Sequence, residues 1–140
     1  MVRVLVVEDD PAVCDVLTRM LRRAGHTVRS ASNGADAVIL AQEQRPDIIL
    51  MDLVLPMIDG LLATRRLKAD ARTAHIPVLA LTARGLADEA RARAAGCDGF
   101  ITKPCAMEHL LAQVAAFAGR GDGGGGADDQ WSQRVGVGTC

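Results

Sequence analysis

This sequence is poor in aromatic residues, which make up 2% of its 140 residues and include no tyrosine. Because 49% of the chain is hydrophobic, aliphatic side chains and alanine must fill the core, and such a composition excludes a disordered chain. No apolar run approaches the roughly 18 residues that a membrane-spanning helix needs. The length suits one domain with a single core.

The charge balance and the cysteine spacing exclude further classes of protein. The formal net charge is −1, whereas a nucleic-acid-binding surface needs a basic excess, so we expect no direct binding to nucleic acid. The four cysteines follow neither a CxxC nor a zinc-ligand spacing. The N-terminus turns acidic after about six residues, too early for a signal peptide. We therefore expect a cytoplasmic protein with reduced thiols.

Five short β-like runs alternate with five helical ones along the chain. RVLVV (3–7) is apolar and β-branched, which favours a strand buried on both faces. DIILMD (47–52) is the third predicted strand. HTVRSA (26–31) alternates in polarity, which favours a half-covered edge strand. The alternation predicts an α/β fold, a flavodoxin-like doubly wound five-stranded parallel sheet of order 2-1-3-4-5 with helices on both faces. We assign residues 1–118 to this domain and the glycine-rich residues 119–140 to a flexible tail.

Polar residues follow four of the five predicted strands at their carboxyl ends. They are Glu8, Asp9 and Asp10 after the first strand, Asp52 at the end of the third, Thr82-Ala83 at the fourth and Lys103-Pro104 at the fifth. Each has an ordinary explanation by itself, such as a helix cap for Asp10 or a solvated surface charge for Lys103. Parallel strands bring their carboxyl ends to one edge of the sheet, where folds of this kind bind ligands.

Carboxylates gathered at one edge repel one another and therefore require a cation. Hard oxygen ligands favour Mg²⁺, and Mn²⁺ is a possible substitute. With Asp9 and Asp52 as ligands, the ion would bridge to a phosphoryl group, and Asp52 would be the nucleophile that forms an aspartyl phosphate. Lys103, the hydroxyl of Thr82 and the backbone N–H of Ala83 would then bind the phosphoryl oxygens.

Four segments carry a resemblance to a known family: VLVVEDDP, MDLVLPMIDG, LALTA and FITKP, in this order. Over residues 2–118 the sequence resembles the receiver domain of bacterial two-component response regulators of the single-domain, CheY-like kind. The resemblance implies that Asp52 accepts a phosphoryl group from a histidine kinase or a histidine phosphotransfer protein. It also implies that Asp9 ligates Mg²⁺ directly, that Glu8 acts through water, and that the backbone carbonyl of Val54 completes the protein ligands.

The same resemblance implies how phosphorylation is transmitted to a partner. Thr82 would move toward the phosphoryl group and Phe100 would rotate inward; the alternative is that Phe100 simply fills the core. The output surface for a downstream effector protein would comprise the fourth helix, the fifth strand and the fifth helix. Val54 and Arg84 would adjust the lifetime of the phosphorylated state, or they are ordinary exposed loop residues.

Several functions remain open on the sequence alone. The first is a phosphorylatable signalling switch that controls a partner or passes the phosphate along a phosphorelay, catalysing only its own phosphorylation and dephosphorylation. The others are a receiver fragment of a larger multidomain regulator and a pseudo-receiver that binds partners without phosphorylation. A phosphatase of the haloacid-dehalogenase-like class is disfavoured, because Val54 occupies the position of that class's second aspartate. We expect a monomer or weak dimer without a membrane partner.

Overall fold

The computed structural model describes residues 2–53, 55, 59–82, 86–102 and 107–118, where strands and helices alternate strictly. The strands are β1 (Arg3–Val7), β2 (Thr27–Ala31), β3 (Ile48–Asp52), β4 (Val78–Thr82) and β5 (Gly99–Thr102). The helices are α1 (Pro11–Arg23), α2 (Gly34–Gln44), α3 (Gly60–Ala69), α4 (Leu86–Ala95) and α5 (Met107–Ala118). All strand pairs are parallel in the order β2-β1-β3-β4-β5, which confirms the predicted topology. The predicted tail, 119–140, lies outside the described residues.

The central strand β1 supplies side chains to both layers of the core. Val4 and Val6 pack into a cluster with residues of α1 and α5, whereas Leu5 and Val7 pack into a second cluster with residues of α2 and α3. All four are fully buried. Successive residues of a strand point to opposite faces, so a strand covered on both faces is apolar throughout. The apolar residues 4–7 of β1 are thus buried on both faces of the sheet, which confirms the prediction for this strand.

The edge strand β2 is more buried than its sequence predicts. It lies at one end of the sheet, as expected, but four of its five residues are buried. Among them are Arg29 and Ser30, which are 7% and 9% exposed. The polar positions of HTVRSA therefore mark buried polar side chains, and the prediction of a half-covered strand is wrong.

Side-chain caps fix where the first three helices begin. Asp10 Oδ1 accepts hydrogen bonds from the backbone of Ala12 at 2.9 Å and Val13 at 3.4 Å, and it precedes the proline that opens α1. Asn33 and Asp59 cap α2 and α3 in the same way. Such caps satisfy backbone donors that the first turn leaves without partners. Asp10 is thus the helix cap of α1, the ordinary explanation that its position in the sequence allowed.

Two aspartates that precede strands tie together the amino edge of the sheet. Asp47 Oδ2 accepts from the backbone N–H of Arg3 at 2.8 Å and forms an ion pair with the Arg3 guanidinium at 3.4 Å. Asp98 Oδ2 accepts from the backbone N–H of Val78 and from Lys68 Nζ, both at 2.8 Å. The ammonium of Lys68 also donates to two backbone carbonyls just before β4. Acidic groups at the amino edge are therefore neutralised and built into the scaffold.

The cysteines differ from one another in the structure. Cys97 is a free thiol, and burial raises its pKa, which keeps it protonated and unreactive. Cys14 is fully buried and disulfide-bonded. The expectation of reduced thiols is therefore wrong for Cys14.

The start of α3 packs directly against the end of β3. The backbone N–H of Gly60 donates to the carbonyl of Leu53 at 3.1 Å. A Cβ atom at Gly60 would overlap the carbonyl oxygen of Asp52 and lie 2.7 Å from the Cα of Leu53. Because these atoms belong to the backbone, they cannot move aside as a flexible side chain would. Only glycine fits here, and this close contact fixes the chain around Asp52.

We expect the Gly60→Ala variant to lose about 1–3 kcal/mol of unfolding free energy, because the added methyl group overpacks a rigid junction. Urea denaturation measures this loss, and amide NMR shifts should change over residues 50–53. Gly25→Ala is the control: Gly25 has a φ of 95° with nothing within 4 Å of an added Cβ, so its cost of about 1–2 kcal/mol comes from backbone strain alone. The control should leave the shifts of 50–53 unchanged. Stability of Gly60→Ala within about 0.5 kcal/mol of wild type would contradict this explanation.

Candidate functional site

The strand register brings the carboxyl ends of β1, β3 and β4 together at one edge of the sheet. β1 pairs with β3 so that Glu8, directly after β1, lies beside Asp52, the last residue of β3. On the other side of β3, Leu81 pairs with Asp52, and Thr82 lies one residue further along β4. We call this side of the sheet the carboxyl edge. It holds the described polar residues that the sequence predicted to meet.

Three carboxylates converge at the carboxyl edge. One oxygen from each of Glu8, Asp9 and Asp52 lies within 4.8 Å of the others, and we call these three residues the carboxylate cluster. Glu8 is 3% exposed and Asp52 is 7% exposed, whereas Asp9 is exposed. The cluster is thus buried on the sheet side and open to water beyond Asp9.

Backbone groups hold Glu8 in place. Its Oε2 atom accepts hydrogen bonds from the backbone N–H groups of Asp9 at 3.0 Å and Asp10 at 3.5 Å. The N–H of Glu8 donates to the carbonyl of Ala31, at the end of β2, at 3.0 Å. An ionised carboxylate so deeply buried needs such donors, and hydrogen bonds to a charged group are the stronger ones. Glu8 is therefore a fixed member of the cluster.

The carboxylate cluster fits the ion that the sequence predicts. Two oxygens bound to Mg²⁺ at about 2.1 Å lie about 3 Å apart when adjacent and about 4 Å apart when opposite. The cluster spans at most 4.8 Å, so small side-chain rotations bring its oxygens to these separations. Hard carboxylate oxygens suit Mg²⁺, and Mn²⁺ accepts the same donors. Asp9 and Asp52 could serve as direct ligands, with Glu8 behind them.

Thr82 contacts a residue that the sequence analysis missed. Thr82 Oγ1 donates a hydrogen bond of 2.7 Å to Oδ2 of Asp88 in the first turn of α4. Thr82 is 3% exposed and Asp88 is 4% exposed. Arg91, one turn further along α4, has a guanidinium nitrogen 3.8 Å from the other oxygen of Asp88. Nothing in the sequence distinguishes Asp88, because an acidic residue in a helix's first turn is favourable by itself.

Phe100 lies beside α4. It is partly buried and packs against an apolar group that we call the α4 cluster, formed by Leu53, Leu61, Ala80, Ala92 and Ala95. This position is compatible with either of the roles that the sequence left open. Four further predicted residues, Val54, Ala83, Arg84 and Lys103, lie outside the described residues, and their roles stay predictions.

Comparison with known proteins identifies the family. The family model described as the response regulator receiver domain matches residues 4–115. This chain belongs to that family. Receiver domains are signalling switches rather than classical enzymes, and they work with histidine kinases and downstream effectors.

Curated relatives of this receiver domain include short proteins and a longer regulator. Protein PilH of Pseudomonas aeruginosa is 41% identical over 117 residues, which cover 83% of this chain and 97% of PilH. The polar-differentiation response regulator DivK of Brucella anthropi is 37% identical, with 83% of this chain and 95% of DivK covered. The DNA-binding dual master transcriptional regulator RpaA of Synechocystis is 42% identical over 87% of this chain. The receiver domain spans 51% of RpaA, about half its length.

Solved structures confirm the fold of the receiver domain. The receiver domain of sensor histidine kinase PA1611 from Pseudomonas aeruginosa has a TM-score of 0.80 at 36% identity, covering 84% of this chain and 98% of that one. That structure holds a magnesium ion in its active site cleft. The chemotaxis regulator CheY4 of Vibrio cholerae has a TM-score of 0.78 at 27% identity, with 84% and 98% covered. Within the described residues, no helix is long and apolar enough to cross a bilayer.

We expect Asp9→Asn to abolish most of the stabilisation that Mg²⁺ gives the wild type. Without divalent ions the variant should be more stable than wild type by about 1 kcal/mol, because one of three mutually repelling charges is gone. In millimolar Mg²⁺ the wild type should gain stability by binding the ion, and the variant should gain little. Urea denaturation in EDTA and in Mg²⁺ measures both effects.

Asp10→Asn is the matched control, because asparagine caps a helix as well as aspartate does. It removes a neighbouring charge that lies outside the carboxylate cluster, so it should keep the wild-type response to Mg²⁺. The same Mg²⁺ response in Asp9→Asn and Asp10→Asn would contradict a metal site at Asp9.

Proposed function

We propose that this receiver domain is a phosphorylatable switch in which Asp52 accepts a phosphoryl group from a histidine kinase or a histidine phosphotransfer protein. The observation that carries the proposal is the convergence of Glu8, Asp9 and Asp52 within 4.8 Å at the carboxyl edge. Three acidic groups so close together favour a divalent ion, and the charge of that ion would allow an anionic phosphoryl group to approach. Like charges held this close together destabilise the fold, so a purely structural role does not explain their arrangement.

In the proposed reaction, an oxygen of Asp52 forms a bond to phosphorus while the bond from phosphorus to the donor's histidine nitrogen breaks. The bonding electrons return to that nitrogen, and the imidazole takes up a proton and leaves neutral. The bound Mg²⁺ would supply positive charge that lets an anionic nucleophile meet an anionic donor. Asp9, Asp52 and the carbonyl of Val54 would hold the ion, and Glu8 would hold it through water.

Other residues would stabilise the transferred group. Lys103 would place a compact positive charge on one phosphoryl oxygen, and the backbone N–H of Ala83 and the hydroxyl of Thr82 would donate to others. Thr82 supports this role by its place on β4, the strand next to β3 at the same edge. The hydrophobic residues of β3 before Asp52 are fully buried, which keeps the nucleophile at a fixed position.

The proposed output is a change in the surface formed by α4, β5 and α5, which would control a downstream effector protein or accompany onward transfer of the phosphate. The support is that Phe100 on β5 packs against alanines of α4. A cluster rich in alanine has few interlocking side chains and can shift at low cost. Location in the cytoplasm, a monomeric or weakly dimeric state, and the choice between an independent switch and one domain of a larger regulator stay predictions.

Incubation with acetyl phosphate and Mg²⁺ tests the proposal. We expect intact-protein mass spectrometry to detect a transient gain of one phosphoryl group in the wild type. The gain should be absent in Asp52→Asn, because the amide is not a nucleophile of this kind, and absent in EDTA. The Asp10→Asn variant should still be phosphorylated.

Two outcomes would contradict the proposal in different ways. Continuous release of phosphate without an adduct would favour a phosphatase. A folded wild-type protein that never gains the phosphoryl group, with either acetyl phosphate or a phosphorylated histidine donor, would favour a receiver that binds partners without phosphorylation.

A further inference from the structure

The buried pair of Thr82 and Asp88 joins the carboxyl edge of the sheet to α4. The hydroxyl of Thr82 at the end of β4 donates to the carboxylate of Asp88 at 2.7 Å. Both residues are at least nine-tenths buried, with exposures of 3% and 4%. A hydrogen bond to a charged acceptor in such a place is among the stronger ones that a protein makes. This contact is therefore a constraint on where the Thr82 hydroxyl points.

A hydroxyl group carries one proton to donate. Thr82 therefore cannot donate to Asp88 and to a phosphoryl oxygen on Asp52 at the same time. If Thr82 turns to the phosphoryl group, the carboxylate of Asp88 loses its short hydrogen bond. Two acceptors thus compete for a single donor.

The loss of that bond has a direct consequence for α4. A buried carboxylate without its donor is costly, so it must find water or another donor. Arg91 is a poor replacement where it stands, since its nitrogen is 3.8 Å away and its side chain is 60% exposed. Asp88 lies in the first turn of α4, so a movement of its carboxylate toward water or Arg91 would act directly on this turn.

The packing of α4 allows such a shift. The residues that α4 buries in the α4 cluster, Ala92 and Ala95, are small, and the cluster also includes Phe100 as a partly buried neighbour. Small side chains give up little contact when a helix moves slightly. A displacement that begins at Asp88 would therefore reach Phe100 through the same cluster.

We propose that Asp88 is a positioning residue that holds the Thr82 hydroxyl away from the phosphoryl site, and that transfer of this one donor from Asp88 to the phosphoryl group couples Asp52 to α4. The inference rests on the proposed phosphorylation of Asp52 and adds a specific residue to it. Asp88 opposes the phosphorylated state in the resting domain, and its release moves α4.

Beryllofluoride with Mg²⁺, a mimic of the phosphoryl group, is the probe that tests this inference. Asp88→Ala frees the Thr82 hydroxyl, so we expect it to bind the mimic about tenfold more tightly than wild type, the equivalent of about 1.4 kcal/mol. Titration followed by fluorine NMR measures the affinity. Asp88→Asn keeps the shape and a weaker acceptor, so it should show a smaller gain and serves if the alanine variant folds poorly.

Two further variants separate positioning from a general loosening of α4. Arg91→Ala removes the ion pair but leaves the Thr82–Asp88 bond, so its affinity for the mimic should equal that of wild type. In a Thr82→Ala background, Asp88→Ala should have no effect on affinity, because no hydroxyl remains to be released. Hydrogen exchange should show that the mimic raises exchange over 86–95 in wild type, and that Asp88→Ala raises it without the mimic.

The outcomes are distinct from those of the phosphorylation test. Equal or weaker binding of the mimic by a folded Asp88→Ala variant would overturn the role of Asp88, while wild-type phosphorylation would still stand. An undiminished Asp88→Ala effect in the Thr82→Ala background would also overturn it, since the effect would not pass through Thr82. A wild type that takes neither phosphoryl group nor mimic would overturn both proposals.

Discussion

Repulsion among three carboxylates is the constraint on which the functional edge of this domain depends. Glu8, Asp9 and Asp52 bring their oxygens within 4.8 Å of one another, although two of these residues are almost fully buried. The parallel pairing of β1 with β3 fixes where both strands end and so holds these carboxylates close together. Backbone amide donors also stabilise the Glu8 carboxylate. Carboxylate oxygens gathered in this way suit a divalent cation such as Mg²⁺, whose charge offsets theirs.

Much of the fold and the site can be predicted from the sequence, because both follow from periodicity. Apolar runs that alternate with amphipathic ones imply a parallel sheet, and a parallel sheet delivers its strand ends to one edge. For this reason the sequence alone predicts that Asp9 and Asp52 lie close together. The close approach of α3 to β3 at Gly60 could not, since it depends on the angle at which the helix leaves the strand.

Two of the differences between prediction and structure, at β2 and at Asp88, share a physical cause. Polarity in a sequence is ordinarily a sign of exposure, yet Arg29 and Ser30 on β2 and Asp88 on α4 are buried polar residues. Each is tolerated because another group in the fold interacts with it, as Thr82 does with Asp88. Such partners are in direct contact in three dimensions but lie on another element of the fold, as Thr82 on β4 does for Asp88 on α4. Burial of a polar residue is decided by its tertiary partner, which periodicity does not reveal.

The two edges of the sheet treat the same kind of side chain in opposite ways. At the amino edge, Asp47 and Asp98 each bind a basic side chain and a backbone N–H of a neighbouring strand. They therefore stabilise the sheet. Among the described residues, those proposed to bind Mg²⁺ or phosphate (Glu8, Asp9, Asp52 and Thr82) lie at the carboxyl edge. Substitutions at the carboxyl edge can therefore change the chemistry of such a domain during evolution while the contacts of the amino edge keep the domain folded.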